Sequence, residues 1–389
     1  MGLATSVREE SHSQDSVRDL IEASIQEKIF PGCSYCLARG RDIYFDEVSG
    51  NHSFIPLTED GELTPVQYQS VYDVDSLTSS IITTPLLMKA VEEEKVQLSD
   101  RVSRHIHGFG TFGKSLIRIE DLVRHQSGLP VGESFYQEFT SIRKEVPFGT
   151  AMGRGAAQQM LTQINRMTPR ATPGQISQYG EIESLVLGFL VEELWAKRVN
   201  ELAQKFLFSP LNIRQSGFID HALVRKGDIQ PELRVLVPTE ECPWRKRVIR
   251  GEVWDENTWA IGGVSGEAGL FANARDLTLL IQALLSSYRG VGTPLVSTEV
   301  VRSFFRFPEV EAQWACGWAT TKTAFGIEPP EPFQHSLGAV SSSGCAIWFD
   351  PETAVSLVFL SNRAMPGRAN RKISLLWPRL LKTVWASLL

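Results

Sequence analysis

The chain has 389 residues, of which 42% are hydrophobic and 22% are charged. This composition is typical of a globular protein and excludes a chain that is disordered throughout, and the length suffices for a substantial core. A formal net charge of -6 supplies no basic surface of the kind that dominates affinity for nucleic acids, so the sequence predicts no nucleic-acid partner.

The five cysteines and the N-terminal residues bear on the compartment. The cysteines lie at positions 33, 36, 242, 316 and 345, too scattered for a disulfide framework in a chain of this size. The first residues contain no apolar stretch long enough for a secretion signal, and no later stretch approaches the length of a membrane span. We therefore expect a cytoplasmic protein without a membrane span, in which residues 1–15 are disordered.

The chain opens with the pattern of a helix followed by two strands. From Ser16 onward apolar residues recur at helical spacing, and the runs CSYCLAR and DIYFDEV then read as a hairpin. Cys33 and Cys36 form a CxxC in the first run, but side chains three positions apart on a strand point to opposite faces. The pattern therefore favours two ordinary thiols over a redox or metal site.

The middle of the chain is predicted to be helical, and the end returns to strands. Residues 76–215 contain four helical patterns separated by loops that carry Gly and Pro. GLFANARDLTLLIQALL reads as a further helix, CAIWFDP and AVSLVFLSNR read as strands, and KISLLWPRLLKTVWASLL reads as a closing helix. We predict a single mixed α/β domain over residues 16–389, in which residues 16–75 and 216–389 form an α/β layer and residues 76–215 form an inserted helical subdomain.

Four separated segments resemble, in order, the serine beta-lactamases and penicillin-binding proteins. They are DVDSLTSSIITTPLLMKAVEEEKVQLSDRV, IRIEDLVRHQSGLP, PTEECPWRKRVIRGEVWDENTWAIGGVSGEAGLFANARDL and CAIWFDPETAVSLVFLSNRAMPGRANRKI. The resemblance implies the beta-lactamase/transpeptidase-like fold, an antiparallel sheet flanked by the N- and C-terminal helices, with the cleft at its junction with the helical subdomain. It also implies a serine hydrolase of the beta-lactamase or D-Ala-D-Ala carboxypeptidase type, with no metal and no cofactor.

The family's nucleophile motif, SxxK, is altered in this chain. Its Ser starts a helix and its Lys, one turn later, takes the hydroxyl proton. The tetrapeptide here is SLTS, which puts Ser76 in the place of the nucleophile and Ser79 in the place of the Lys. A hydroxyl is no base near pH 7, so Ser76 either is a vestigial nucleophile or simply caps the helix.

The second motif, YxN, is altered as well. After Pro173-Gly174 the chain reads QISQYG, and the resemblance implies Ile176 in the place of the Tyr and Gln178 in the place of the Asn. An alternative alignment puts Tyr179 nearer the site. In that alignment no residue matches the amide partner.

The third motif, KTG or HTG, is absent from QHSLGAVSSSGCAIWFDP. Counted back without gaps, the triplet falls on residues 339–341, whereas matching it to His335 needs about four extra residues before the strand pair. His335 is expected to line the cleft, as are Ser343 and Gly344. Either alignment breaks the motif.

Several other residues have both a functional and a structural interpretation. Two histidines typical of the family are replaced by Trp254 and Glu267, as the resemblance implies. His105 and His107 lack companion ligands for a metal, and His125 reads as a structural hydrogen-bonding residue.

The triple alteration predicts a catalytically degenerate homologue that uses the scaffold or the cleft for binding or regulation. One alternative is an active esterase, amidase or peptidase-like hydrolase in which another base, such as His335, activates Ser76. The other is a structural or interaction subunit that uses its outer surface. A small acyl, peptide or cell-wall-like molecule is the expected cleft ligand, and the sequence names no protein partner.

Overall fold

The structure is a computed structural model that describes residues 3–57, 61–140, 154–292, 294–307 and 312–389. Eleven strands occur within these residues: β1 Gly32–Arg39, β2 Asp42–Gly50, β3 Tyr72–Asp73, β4 Gly217–Phe218, β5 Glu241–Cys242, β6 Arg247–Val248, β7 Leu270–Ala272, β8 Ala319–Thr320, β9 Leu337–Val340, β10 Ala346–Asp350 and β11 Val355–Ser361. Six of them form an antiparallel sheet in the order β2-β1-β11-β10-β9-β8. Two smaller antiparallel sheets have the orders β3-β7-β4 and β5-β6.

Helices precede, interrupt and follow the sheet. Within the described residues they are α1 Leu3–Gln26, α2 Thr84–Glu92, α3 Ile119–Val123, α4 Phe135–Thr140, α5 Arg154–Arg166, α6 Glu181–Trp195, α7 Val199–Ala203, α8 Ser209–Leu211, α9 His221–Lys226, α10 Glu256–Ala260, α11 Ala274–Arg289, α12 Thr298–Phe305, α13 Thr321–Phe325 and α14 Ile373–Leu388. A wider helical turn over Ser79–Thr83 leads directly into α2. None of the described helices is long and apolar enough to span a membrane.

The six-stranded sheet separates two apolar cores. On one face α1 and α14 pack against each other, and their core includes Val17, Phe359 and Trp377. On the other face α11 packs on β1 and β11, and the core continues through α2 and α6. The sheet is therefore covered on both sides, which explains why β1 and β11 are almost wholly buried.

The predicted mixed α/β fold, with an antiparallel sheet and flanking terminal helices, is confirmed. Cys33 contributes to the core under α1 and α14 and Cys36 to the opposite core, as strand alternation predicted. All five cysteines are buried and unpaired. The proposed domain bounds stay a prediction.

Three local predictions need correction. The first helix begins at Leu3 instead of Ser16, so its backbone extends into the segment expected to be disordered. The pattern GLFANARDL was predicted as helix throughout, but its start is β7 because Leu270 and Phe271 pair with β4 and Asn273 caps α11. The long run 181–207 is divided because Ala196 adopts a left-handed conformation at the end of α6.

Candidate active-site cleft

Ser76 lines a cavity of about 940 Å³ between the end of β9, the start of α14 and the helical region. It is half-buried, whereas its neighbours Asp75 and Leu77 are buried. The other residues that line this cavity include Ser79, Ser80, His125, Ser177, Gln178, Tyr179, Trp254, Gln313, Trp314, Val340, Ser341, Ser342, Arg363, Arg368, Arg371, Ile373 and Trp377. The predicted cleft residues Ser76, Ser79 and Gln178 are thus brought together.

Asp75 fixes the position of Ser76 relative to the sheet. Its backbone has a φ of 54°, in the left-handed region that a residue other than Gly adopts only when its surroundings hold it there. Its Oδ2 accepts a hydrogen bond of 3.2 Å from the amide of Ser343, in the β9–β10 loop. The start of the Ser76 helix is therefore tied directly to the loop across the cleft.

The residue in the place of the family's Lys is engaged elsewhere. The Ser79 hydroxyl donates to the Ser184 hydroxyl of α6 at 3.0 Å, and Ser79 is buried. This contact joins two helices of the core. Ser79 therefore supplies neither an amine nor a free hydroxyl to Ser76.

Tyr179, and not Ile176, lies beside Ser76. The Tyr179 hydroxyl donates to Glu267 Oε1 at 3.1 Å and also interacts with the Ser76 side chain. Ile176 is 50% exposed and is not among the residues that line the cavity, so the alignment that put Ile176 in the place of the Tyr is wrong. The chain from Gly174 to Gly180 has no regular structure, so no periodicity could fix which of its residues reaches the cleft.

Three carboxyl groups near Ser76 and Tyr179 are buried, those of Asp73, Asp75 and Glu267. Burial, followed by the charges of Asp255 and Asp75, raises the pKa of Glu267 well above 4.5. Burial and the charge of Asp73 raise the pKa of Asp75 to about 8. Burial also raises the pKa of Asp73 to about 6. Asp75 therefore keeps its proton near neutral pH, the ionised form of Glu267 is disfavoured, and Asp73 is still mostly ionised at pH 7.

The pKa of the Tyr179 phenol is raised as well. Although 38% of Tyr179 is exposed, burial at its hydroxyl end and the charge of Glu267 raise its pKa well above 10, against a smaller opposite effect of the hydrogen bond to Ser76. A phenolate, which would be the base form, is therefore disfavoured at this position.

Aromatic rings and a buried carboxylate hold Tyr179 in place. The His125 ring lies 4.8 Å from the Tyr179 ring and 4.5 Å from the Trp314 ring, measured between centroids. His125 Nδ1 lies 2.6 Å from Glu183 Oε2, and the other Glu183 oxygen accepts from the Ser127 amide and hydroxyl. His125 is thus the structural hydrogen-bonding residue that the sequence predicted.

The remaining predicted residues lie at the end of β9 and in the β9–β10 loop. Residues 339–342 line the cavity, which matches the alignment without gaps. Ser343 is fully buried, and its hydroxyl lies 2.9 Å from that of Ser341. Gly344 has a φ of 100°, and a Cβ there would come within 2.4 Å of Arg363 Cγ. Ser343 and Gly344 therefore lie beneath the cleft wall and support it, in contrast to the prediction that they line it.

His335 is not positioned to activate Ser76. It is exposed and lines a second cavity, of about 1220 Å³, that shares Gln313 and Thr323 with the Ser76 cavity. His335 lies in the loop that precedes β9, at the opposite end of that strand from Ser341. The prediction that His335 lines the Ser76 cleft is therefore wrong.

The described residues form no metal site at the cleft. Among the described residues, no group of three or more His, Cys, Asp or Glu side chains could hold a metal ion. The cationic cleft residues that the sequence did not single out are Arg363, Arg368 and Arg371. The only signal for them was three arginines within nine residues, directly before the last helix.

Comparisons with known proteins agree with this geometry. A family model described as Beta-lactamase matches residues 17–377. A Salmonella schwarzengrund protein, provisionally named a D-alanyl-D-alanine carboxypeptidase, is 27% identical over an alignment covering 78% of this chain and 72% of its own.

Solved structures share the fold. A penicillin-binding protein homologue from Caulobacter crescentus has a TM-score of 0.69 at 15% identity, covering 96% of this chain and 97% of its own. EstCE1, described as a hydrolase with promiscuous acyltransferase activity, has a TM-score of 0.68 at 17% identity, covering 94% and 98%.

Proposed function

Since the chain belongs to the beta-lactamase family, we propose that it is a catalytically degenerate serine hydrolase homologue whose cleft binds a ligand instead of turning it over. One observation carries the proposal. Among the described residues the Ser76 side chain interacts with Tyr179, which donates to Glu267, and the pKa values of both the phenol and the carboxyl group are raised, so the ionised form that would accept a proton is disfavoured at both. None of the described residues that line the cavity is a lysine.

The loss of the base has a large effect on rate. A missing general base lowers the rate by about 10²- to 10⁴-fold. Where residues act as a unit, one loss removes most of the covalent route, which leaves about 10³- to 10⁴-fold over water from the oxyanion site and binding. That residual rate is too low for a physiological hydrolase.

The cleft itself supports a binding role. Its volume of about 940 Å³ falls in the range of small-molecule sites, and its lining combines aromatic and polar side chains. The name of the Salmonella relative makes a peptide or acyl compound the first ligand class to screen. A cytoplasmic location is part of the proposal, and the five unpaired cysteines support it.

A second candidate is a slow Ser76 hydrolase, which the Tyr179–Glu267 hydrogen bond favours. Ser76 would attack an ester carbonyl and pass its proton to Tyr179, as Tyr179 passes its own proton to ionised Glu267. The alcohol would leave with a proton returned by the same route, and water would release the acyl group. This route needs ionised Glu267, so its rate would rise in alkali.

One experiment distinguishes the two candidate functions. The purified protein and Ser76→Ala are treated with a fluorescent fluorophosphonate and a fluorescent penicillin, and p-nitrophenyl ester turnover is followed from pH 6 to pH 10. Ser177→Ala, which also alters a cavity hydroxyl, is the matched control. We expect no Ser76-dependent labelling or turnover near pH 7. Labelling that disappears only in Ser76→Ala would replace the first proposal by the second.

A further inference from the structure

A third cavity, named here the α5–α6 cavity, lies between α5, α6 and the loop that follows α10. Its volume is about 260 Å³, and it shares no lining residue with the Ser76 cavity. Small-molecule sites begin at about 300 Å³, so a cavity of this size suits a small ligand. Its lining combines buried apolar residues, which form its floor, with charged residues, which form its rim.

Two glycines bring the floor of this cavity into direct contact with α6. Gly188 lies on α6 and Gly266 lies in the loop after α10, and a Cβ on Gly266 would come within 2.3 Å of the Gly188 Cα. A Cβ on Gly188 would likewise lie 2.6 Å from the Gly266 Cα. Both positions therefore require glycine, and no side chain projects from either of them into the cavity.

The floor of the α5–α6 cavity is apolar. Leu185, Ile261 and Val264 line it and are at most 3% exposed. Leu161 and Phe189 also line it and are half-buried. The apolar part of a ligand would exchange water for contacts with these side chains, which favours binding.

The two cations at the rim are already compensated by carboxylates. Lys197 Nζ lies 3.3 Å from Glu201 Oε2, and the Arg198 guanidinium pairs with Asp220. Neither cation therefore offers an uncompensated charge to an anionic ligand.

The carboxylates at the rim lie at the C-terminal end of α6. Glu192 accepts a hydrogen bond of 3.0 Å from the Val199 amide. The Glu193 side chain is exposed, lines the cavity and has no ion-pair or hydrogen-bond partner among the described residues. Because α6 ends at Trp195, the partial negative charge of its dipole also falls here. Both features favour a cationic group in the ligand.

The same floor also supports the Ser76 site. Ser265 lines the α5–α6 cavity, and its hydroxyl accepts hydrogen bonds from the amides of Glu267 and Ala268 at 3.1 and 3.0 Å. Glu267 in turn accepts from Tyr179, which interacts with Ser76. A ligand in the α5–α6 cavity therefore contacts the turn that positions Tyr179.

We propose that the α5–α6 cavity is a second binding site, which takes a small apolar amine. The ammonium group lies at the Glu193 carboxylate and the C-terminal end of α6, and the apolar body contacts the floor. The amine is held reversibly by its charge and by apolar contact, and no covalent bond changes. The site is independent of the proposed function, because its ligand touches neither Ser76 nor Tyr179.

Hexylamine, which is a cation near pH 7, is the probe. It is titrated at pH 7 into the wild-type protein and into Ser76→Ala by isothermal calorimetry. Hexan-1-ol is the neutral ligand with the same chain, hexanoate is the anion, and ethylamine is the cation without most of the apolar body. We expect hexylamine to bind both proteins with a dissociation constant below about 10 mM. Hexan-1-ol and hexanoate should bind at least about three-fold more weakly, and ethylamine at least about ten-fold more weakly.

Glu193→Gln tests the charge, because this exposed carboxylate can be replaced without loss of an internal contact. We expect hexylamine affinity to fall by about three- to five-fold, while hexan-1-ol affinity stays the same. Glu22→Gln, exposed on α1 and outside the cavity lining, is the control and should leave both affinities unchanged.

Ala157→Phe tests the location, because Ala157 lines the cavity and a ring there would fill it. We expect hexylamine affinity to fall by about ten-fold or more. Gln159→Phe, exposed on the same helix and outside the lining, is the matched control. Circular dichroism checks that the variants fold, and Glu193→Gln keeps the test decisive if Ala157→Phe does not fold.

Equal binding of hexylamine and hexan-1-ol would overturn the inference, as would unchanged hexylamine affinity in Glu193→Gln or in folded Ala157→Phe. A dissociation constant above about 10 mM for hexylamine would also contradict it. Loss of hexylamine binding in Ser76→Ala would put the amine in the Ser76 cavity and overturn the inference as well.

Discussion

The helix-covered face of the sheet and the Ser76 cleft are built in different ways. Under α1 and α14 large buried side chains pack together, and Trp348 contacts Phe333 and Trp385 while its indole donates to Thr321. At the cleft, Ser76 directly follows buried Asp75 and interacts with Tyr179, whose hydroxyl donates to buried Glu267, and the pKa values of both carboxyl groups are raised. Close packing stabilises the fold. The cleft keeps polar groups in arrangements that packing alone does not favour, as binding sites do.

The largest loss of unfolding free energy is expected for a substitution in the core under α1 and α14. Trp348→Ala would remove a fully buried indole, and we expect the free energy of unfolding to fall by about 3–5 kcal/mol in chemical denaturation. Leu375→Ala, on the exposed side of α14, should change it by less than about 0.5 kcal/mol. Similar values for the two variants would mean that this face is not the tightly packed part of the molecule.

A smaller loss is expected where a buried carboxylate supports the cleft. Glu183→Ala leaves His125 Nδ1 and the Ser127 amide and hydroxyl without their acceptor, and should lower the unfolding free energy by about 2–3 kcal/mol. Glu193→Ala, exposed on the same helix, is the control. If both variants unfold at the same denaturant concentration, the His125–Glu183 contact does not stabilise the cleft.

Replacing a cleft carboxyl group whose pKa is raised should instead increase the unfolding free energy at neutral and alkaline pH. Folded Glu267 keeps its proton where the unfolded chain has lost it, so its contribution to stability is present below pH 4.5 and disappears as the pH rises through its folded pKa. Glu267→Gln should therefore match the wild type near pH 4.5 and be more stable by about 1 kcal/mol or more near pH 8.

Subtracting the wild-type unfolding free energy from that of Glu267→Gln at each pH leaves the contribution of Glu267, because the other titrating groups are present in both proteins. His52 and His221 have pKa values lowered to about 4 and 3, so they lose stabilisation in acid, but both titrate in both proteins. Asp75, Asp255 and Glu181 face Glu267, and their pKa values should fall when its charge is absent. A constant difference from pH 4.5 to pH 8 would contradict the raised pKa.

The smallest effect is expected at Ser76 itself. Ser76→Ala removes a half-buried hydroxyl, so the unfolding free energy should change by less than about 0.5 kcal/mol. A loss above about 1 kcal/mol would favour the helix-capping role that the sequence left open.

Part of the site was predictable from the sequence. The position of Ser76 at a helix start and the absence of an amine at Ser79 follow from the motif itself. For the partner of Ser76 the sequence offered Tyr179 only as an alternative to Ile176, because residues 174–180 carry no periodic pattern that could choose between two positions three residues apart. The position of His335 was not predictable either, because it lies before β9 and lines the second cavity.

The sequence by itself determined the family, the sheet with its terminal helices, and the opposite orientation of Cys33 and Cys36, because these depend on local periodicity and on segments that match in order. Only the tertiary structure decided which groups share the cleft. Tyr179 and Glu267 are far apart in the sequence, as are Trp254 and Arg371. Their proximity, and the burial that shifts the pKa values of the acidic groups among them, arises from packing between distant segments, which no local pattern encodes.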